Sequence, residues 1–327
     1  VAGAFVLAAG LGTRLRPLTD EVPKALVPVC GVPLLAYALA SCARHGLRDV
    51  VVNAHWLADQ VVAWEGDREG VRVAVSVEQP EILGTGGGLK RVGDRLAARF
   101  AVLNADVLHD VDLRALVAAV PEGGAAMALR ADAPAAARYG VVATDETGTI
   151  ARLTNVASAI PVGRVRDDTF FTGLHALDRA ALDRIPDGPA CVVRTAYKAL
   201  VPERLVRGLV DPGPWLDTGD LATYLAANLH VLRGTVRTPL APHARAAFAR
   251  DAEGVQIGTS EADVVGAAWV GHGARVDGRI TDTVVGADAH VPAGATLVRC
   301  VVWDGVEVPA GAHADTVFTR GGSVRLP

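Results

Sequence analysis

Leu7–Val29 reads LAAGLGTRLRPLTDEVPKALVPV, an aliphatic run broken by glycines and followed by an arginine, prolines and a lysine. Ala4–Ala8 has the composition of a buried strand, and it runs into Gly10 and Gly12, then Thr13 and Arg14. Glycines after a strand let the backbone approach a phosphate, which freed amides and an arginine can then bind. A dinucleotide-binding turn opens in the same way. That alternative also asks for an acidic residue at the end of the second strand, where this sequence has Asn53-Ala54-His55.

Outward from this stretch, short aliphatic runs alternate with helix-like segments. Pro33–His45, Leu57–Trp64 and Gly87–Arg99 read as helices, and Asp49–Asn53, Val71–Val77 and Phe100–Leu103 as strands. Such alternation predicts βαβ units: an α/β fold with a Rossmann-like, mostly parallel sheet and helices on both faces. Ligands in such folds gather at the carboxyl ends of the strands. From about Met127 the pattern becomes strand-rich, with Gly140–Thr144, Thr149–Leu153 and Thr169–Ala176, which predicts a mixed extension of the sheet. Asp220–Arg233 reads as a closing helix, with Leu221, Tyr224, Leu225, Asn228 and Leu232 along one side.

After about Pro239 helical periodicity stops. Val284–Ala295 (VVGADAHVPAGA) matches Val301–Ala312 (VVWDGVEVPAGA) at an offset of 17, and Val264–Ala274 (VVGAAWVGHGA) is an earlier partner. Hexapeptide units in register predict a small parallel β-helix of three or four coils. Its exposed end would suit self-association. Two domains follow: 1–238 and 239–327.

The bulk properties fit. With 327 residues, half of them hydrophobic, the chain can bury a large core, and a net charge of −4 without a basic block argues against a nucleic-acid partner. Its four cysteines, Cys30, Cys42, Cys191 and Cys300, are scattered, as expected of reduced thiols in a cytoplasmic protein. The apolar start is too short for a membrane helix, so no membrane partner is expected. The sequence opens on Val1 rather than Met, so a few residues are expected ahead of it.

The whole string from Leu7 to Val29 closely resembles the signature of the sugar-1-phosphate nucleotidyltransferases, or NDP-sugar pyrophosphorylases. Glycine turn, arginine, prolines and lysine all stand at that family's spacing. The resemblance covers roughly residues 3–235, and the C-terminal repeat resembles the left-handed β-helix that many members carry. It implies a GT-A-like fold, an NTP and a sugar 1-phosphate as substrates, and Mg²⁺ as cofactor. Arg14 and Lys24 would be the catalytic cations. Leu7, Ala9, Gly10, Gly12, Thr13 and Arg14 would line the nucleotide, with Gln79, Gly84 and Thr85 of Glu78–Gly88 (EQPEILGTGGG) reading the base. Asn104, Tyr139, Gly140, Asn155, Thr172 and Gly173 would meet the sugar phosphate. Asp106 and Asp217 would hold the metal, the latter in Trp215–Gly219 (WLDTG), while Asp110, Asp112 and Asp220 fit solvated or capping positions better. Arg16 fits a solvated surface charge. His55 and Trp56 suit either a pocket wall or ordinary packing.

Two departures stand out. Ala105 precedes Asp106 where the family usually has glycine. Arg152-Leu153-Thr154-Asn155 occupies the place of the family's Glu-Lys-Pro, so another cation, Arg194 or Lys198, is expected to hold the sugar phosphate. Within the family the reading leans to mannose-1-phosphate guanylyltransferase. UDP- or dTDP-sugar synthesis, on glucose or N-acetylmuramate 1-phosphate, is the runner-up. A non-catalytic nucleotide-sugar sensor would be expected to lose at least one of Arg14, Lys24, Asp106 and Asp217. An acyltransferase built on the repeats would need an acceptor pocket around His272, His290 or His313. A homo-oligomer formed through the C-terminal coils is the expected assembly.

Overall fold

The computed structural model describes residues 1–160, 163–235, 256–257 and 264–326. The chain divides into two compact units, Val1–Leu11 with Ala38–Trp215 and Gly12–Tyr37 with Leu216–Pro327. The boundary expected at 238/239 lies outside the described residues. Gly12–Tyr37, counted with the first domain in the sequence, groups with Leu216–Pro327.

The first unit is built on one mixed sheet. Its strands among the described residues are β1 (Ala2–Leu7), β2 (Asp49–Ala54), β3 (Gly66–Arg68), β4 (Val71–Val77), β5 (Leu96–Asn104), β6 (Ala125–Ala131), β7 (Val141–Asp145), β8 (Ile150–Leu153), β9 (Val156–Ala157), β10 (Val165–Asp178) and β11 (Val206–Val210). They lie in the order β9-β8-β7-β10-β5-β1-β2-β4-β3, with β6 also beside β10 and β11 on β6. The pairs β1–β2, β1–β5 and β2–β4 are parallel, as the βαβ pattern predicts. Ala4, Phe5 and Val6 have no exposed surface, so both faces of β1 are covered. The order turns back between β1 and β5, which makes their carboxyl ends the switch point where α/β sheets bind ligands.

β10 pairs antiparallel with β7 through Val165–Phe170 and with β5 through Leu174–Asp178. Gly173, at φ +84°, stands where the strand changes partners. The helix expected over Gly87–Arg99 is corrected. It runs from Gly84 to Arg91, and Leu96–Arg99 belong to β5, where Leu96 is fully buried and pairs with Ala2. Ladder pairing and burial outweigh the helical propensity of Leu-Ala-Ala-Arg there.

The second unit has its own core. Helix Leu221–Leu232 starts on an Asp220–Thr223 capping box. Tyr224 donates its hydroxyl hydrogen to the Pro28 carbonyl at 2.7 Å and accepts from Trp303 Nε1 at 3.1 Å. Asn228, without exposed surface, accepts the Cys30 N–H at 2.8 Å and donates to the Tyr224 carbonyl at 3.0 Å. Gly31, at φ +73°, lies on the Trp269 indole so closely that a Cβ would stand 2.1 Å from it. Glu21 accepts the Gly321 N–H at 2.8 Å.

Strands of the repeat stack in parallel: Val264–Val270 on Arg279–Val285, Arg279–Val285 on Ala295–Val298 and Val301–Val302, and these on Gly311–Ala314 and Thr316–Thr319 respectively. Val284 pairs with Val301 and Val285 with Val302, the 17-residue offset read from the sequence. This ladder is compatible with the expected β-helix. Within it His290 lies 3.1 Å from Asp277, and His313 Nε2 lies 3.0 Å from the Pro309 carbonyl.

Two buried imidazoles in the first unit make stability sensitive to acid. Burial pushes His109 down to about 4 and His175, which is hydrogen-bonded to Tyr197, down to about 3, against an ordinary value of 6.5. Both are neutral in the fold, while the unfolded chain takes up their protons near pH 6.5. Their contribution is complete above that pH and is lost as pH falls towards 4 and 3. Each should remove roughly 1.4 kcal/mol per pH unit in that window. His175→Asn, which cannot titrate, is expected to lower the slope of unfolding free energy against pH between 4 and 6 by roughly 1.4 kcal/mol per pH unit. An unchanged slope in denaturant titrations would refute the assignment.

Candidate active site

Gly12 opens the signature loop of the second unit at φ +64°. A Cβ there would lie 2.7 Å from Thr19 Cγ2 and 3.1 Å from Lys24 Cβ. Only glycine combines that conformation with such close packing. Thr19 donates its hydroxyl to the Gly12 carbonyl at 2.9 Å, which closes the loop. The single turn Thr13–Leu15 buries Leu15 and leaves Thr13 and Arg14 exposed. Lys24 begins a second such turn and is half-buried. Arg16 pairs with Asp20 at 3.2 Å on the surface, as its solvated reading expects.

Asp217 is half-buried in the same unit. A Cβ on Gly219 would lie 2.9 and 3.0 Å from its two carboxylate oxygens and 3.1 Å from Arg14 Nη2. The missing side chain at 219 therefore lets the guanidinium and the carboxylate flank one backbone position. Asp220 is a helix cap, as its alternative reading holds.

In the first unit, Leu7, Ala9 and Gly10 continue from β1. The Leu7 carbonyl accepts the Ala105 N–H at 3.1 Å, which ties the turn carrying half-buried Asp106 to the end of β1. The Ala8 and Ala9 amides donate to Asn53 Oδ1 at 2.6 and 3.2 Å, so they point into the protein. Amides that could meet a phosphate thus begin at Gly10. Glu78 is buried and Gln79 exposed, and Gly84 starts a helix at φ +69°. The Gly86 and Gly87 amides converge on the Ala190 carbonyl at 2.8 and 3.2 Å, and Thr85 Oγ1 accepts the Val192 N–H at 3.0 Å. Arg194 follows two residues later on a one-turn π-helix that leads into Lys198.

The residues of this unit expected to meet the sugar phosphate come together in part. A Cβ on Gly173 would lie 2.4 Å from Asn104 Nδ2, so these two touch. Thr172 turns its hydroxyl to the Ala128 carbonyl at 2.8 Å, and its own carbonyl accepts from Trp215 Nε1 at 2.9 Å. Tyr139, at the end of helix Ala133–Tyr139, stacks on Phe170 at 5.2 Å and meets Trp215 edge-on at 5.4 Å. Gly140 follows at φ +103°, where a Cβ would stand 3.2 Å from Thr154. Asn155 is exposed and accepts from the Thr154 hydroxyl at 3.2 Å.

Sequence reasoning missed Phe170 and the Asn53–Glu78 pair. A polar residue at a strand end and an acid in an otherwise apolar strand exit were the available signals. His55 is engaged with the Glu78 carbonyl at 2.8 Å, as ordinary packing would have it. Asp112 caps helix Leu113–Ala118 and Asp110 pairs with Arg44.

A model of the nucleotidyl transferase family matches residues 3–234. A mannose-1-phosphate guanylyltransferase of Mycobacterium tuberculosis is 31% identical over 316 residues, covering 94% of this chain and 81% of the relative. A UTP–glucose-1-phosphate uridylyltransferase of Synechocystis sp. is 26% identical over 337 residues, covering 95% and 85%. The crystal structure of HddC from Yersinia pseudotuberculosis superposes with a TM-score of 0.55 at 20% identity, over 70% of this chain and 98% of that one, which bears on the fold alone. The family match over most of the chain and the extent of the first similarity establish that this chain belongs to the nucleotidyl transferase family.

Proposed function

We propose that the chain joins an NTP to a sugar 1-phosphate, releasing pyrophosphate, and that its substrates are GTP and mannose 1-phosphate. The observation that carries the reaction type is the placement of Arg14 and Asp217 on either side of Gly219, with Lys24 packed on Gly12 in the same loop. The similarity to the mycobacterial guanylyltransferase supports the choice of base and sugar. UTP with glucose 1-phosphate is the second reading, supported by the similarity to the uridylyltransferase.

An oxygen of the sugar phosphate attacks the α-phosphorus, and the bond from that phosphorus to the pyrophosphate oxygen breaks. A phosphate monoester has a second pKa of about 6, so the nucleophile is already ionised at neutral pH and needs no general base. The obstacle is repulsion between two polyanions, which positioned cations relieve. Arg14 would hold the triphosphate and the departing pyrophosphate, and Lys24 would bridge the α-phosphate and the sugar phosphate. Asp106 and Asp217 would hold Mg²⁺. Among the described residues no three His, Cys, Asp or Glu side chains cluster as a metal cage. One or two carboxylates completed by phosphates and water is the usual donor set for Mg²⁺, and each aspartate supplies an oxygen donor of that kind. When bound, the ion would neutralise developing charge on the phosphates. Leu7, Ala9, Gly10, Gly12 and Thr13 would line the nucleotide, and Gln79, Gly84 and Thr85 would read the base. Asn104, Tyr139, Gly140, Asn155, Thr172 and Gly173 would meet the sugar phosphate, with Arg194 or Lys198 supplying the cation. Cytoplasmic location and self-association through a left-handed β-helix belong to the same proposal. No helix among the described residues is long and apolar enough to cross a membrane.

Pyrophosphate release, assayed with GTP, UTP and dTTP against mannose and glucose 1-phosphates, should be fastest for GTP with mannose 1-phosphate. Turnover of none would favour a nucleotide-sugar sensor. Lys24→Ala should lower kcat by about 10²–10³ with little change in NTP binding, and near-normal kcat would remove its role. Asp217→Asn should move the Mg²⁺ titration to higher concentration, and an unmoved curve would refute the ligand assignment. Gly173→Ala, at positive φ against Asn104, should cost about 1–3 kcal/mol of stability and raise the KM for the sugar phosphate. Normal values of both would contradict the packing argument.

A further inference from the structure

Two buried side chains tie together the first-unit segments assigned to the nucleotide. Asn53, 3% exposed, closes β2, and Glu78, fully buried, follows β4. Asn53 Oδ1 accepts both the Ala8 and Ala9 amides, at 2.6 and 3.2 Å. Its Nδ2 donates to Glu78 Oε1 at 2.7 Å, and Glu78 Oε2 accepts the Leu83 amide at 2.7 Å. The main chain of Glu78 is fixed as well, by its N–H to the Ala54 carbonyl at 2.7 Å and by His55 on its own carbonyl at 2.8 Å.

The arrangement restricts the order of donors and acceptors. A carboxylate only accepts, and a carboxamide presents one accepting and one donating end. Ala8, Ala9 and Leu83 all present N–H groups, so a chain between them must accept at both ends and match one donor to one acceptor in the middle. Asparagine followed by a carboxylate meets this as acceptor, donor, acceptor, acceptor. Space is equally restricted. A Cβ on Gly88 would lie 2.6 Å from Glu78 Oε1 and 3.1 Å from Asn53 Nδ2, so the glycine helix is seated directly on the pair.

We propose that Asn53 and Glu78 are positioning residues of the nucleotide site, a buried relay that fixes the turn Ala8–Gly10 against the Leu83–Gly84 start of the glycine helix and so sets the width of the slot that receives the base. The proposal rests on the assignment of those two segments to the nucleotide. Neither side chain touches the reacting atoms. Their effect is to hold two backbone segments, which contact the base through main-chain groups and Gln79, at one separation.

The relay has a specific reversal. Glu78→Gln places an NH₂ group against either Asn53 Nδ2 or the Leu83 amide, two donors facing each other. Asn53→Asp sets two carboxylates against each other. In the double variant every bond can form again. The introduced carboxylate accepts from Ala8, Ala9 and the new carboxamide, whose oxygen accepts from Leu83.

Steady-state kinetics on the full chain, with the best substrate pair from the panel above, test this. Each single variant is expected to raise the NTP KM about tenfold or more, as loss of a hydrogen bond to a charged group implies. The sugar-phosphate KM and kcat should stay within about twofold, since only nucleotide binding is touched. The double variant should return the NTP KM to within about threefold of the unaltered chain. Single variants with an unchanged NTP KM, or a rise in both KM values together with a fall in Tm, overturn the relay while leaving the reaction assignment intact. Failure of the unaltered chain to turn over any pair overturns both. Where a single variant does not fold, the double variant decides: a near-normal NTP KM supports the relay and a raised one overturns it.

Discussion

A buried parallel strand has ladder partners for its amides only as far as its neighbours run beside it. β1 ends at Leu7 between β2 and β5, and the chain must turn while still enclosed. Its next two N–H groups fall to Asn53, and its last carbonyl falls to Ala105. An amide left without an acceptor at this depth would cost about 1–3 kcal/mol. The hand-over therefore fixes which backbone groups of the turn face inwards. The turn carrying Asp106 and the start of the glycine helix are both referenced to the same strand end.

The chemistry requires little more than such a reference frame with charges set into it. Because the attacking phosphate is already ionised, the residues that matter are those that hold charge in place. Arg14 and Asp217 flank Gly219, and Lys24 packs on Gly12. In both cases a glycine allows the approach. At Gly219 the missing side chain leaves room for a guanidinium and a carboxylate, and at Gly12 for the Lys24 stem, room that a larger side chain would fill.

Much of this was legible in the sequence, and for identifiable reasons. β1 and β2 are short aliphatic runs buried along most of their length, and β4 alternates apolar with polar or small residues, as a strand with one covered face does. The 17-residue offset between Val284 and Val301 reappears as a ladder pair because coil length and repeat length are the same quantity. Gly87–Arg99 failed because Leu-Ala-Ala-Arg favours helix locally, while the long-range pairing of Leu96 with Ala2 decides its state. Asp112 and Asp220 were legible as caps from their place before apolar runs. The Asn53–Glu78 pair was not. Its members stand 25 residues apart in different strand exits, and nothing in the segments around them shows that their side chains meet. Phe170 was hidden for a similar reason, since its partners Tyr139 and Trp215 come from distant segments.

The order of residues along the chain is a poor guide to where this protein could be cut. Tyr224 bonds both Pro28 and Trp303, Asn228 holds Cys30, and Gly31 packs closely on Trp269. A fragment ending near residue 240 would retain every letter of the signature motif yet strip two indoles from beneath it. The freshly exposed apolar surface would sit beside the loop that bears Arg14 and Lys24. Expression trials that shorten the chain to a minimal catalytic core would then report on a damaged loop, and low activity in such a fragment would say little about the repeat as a functional module.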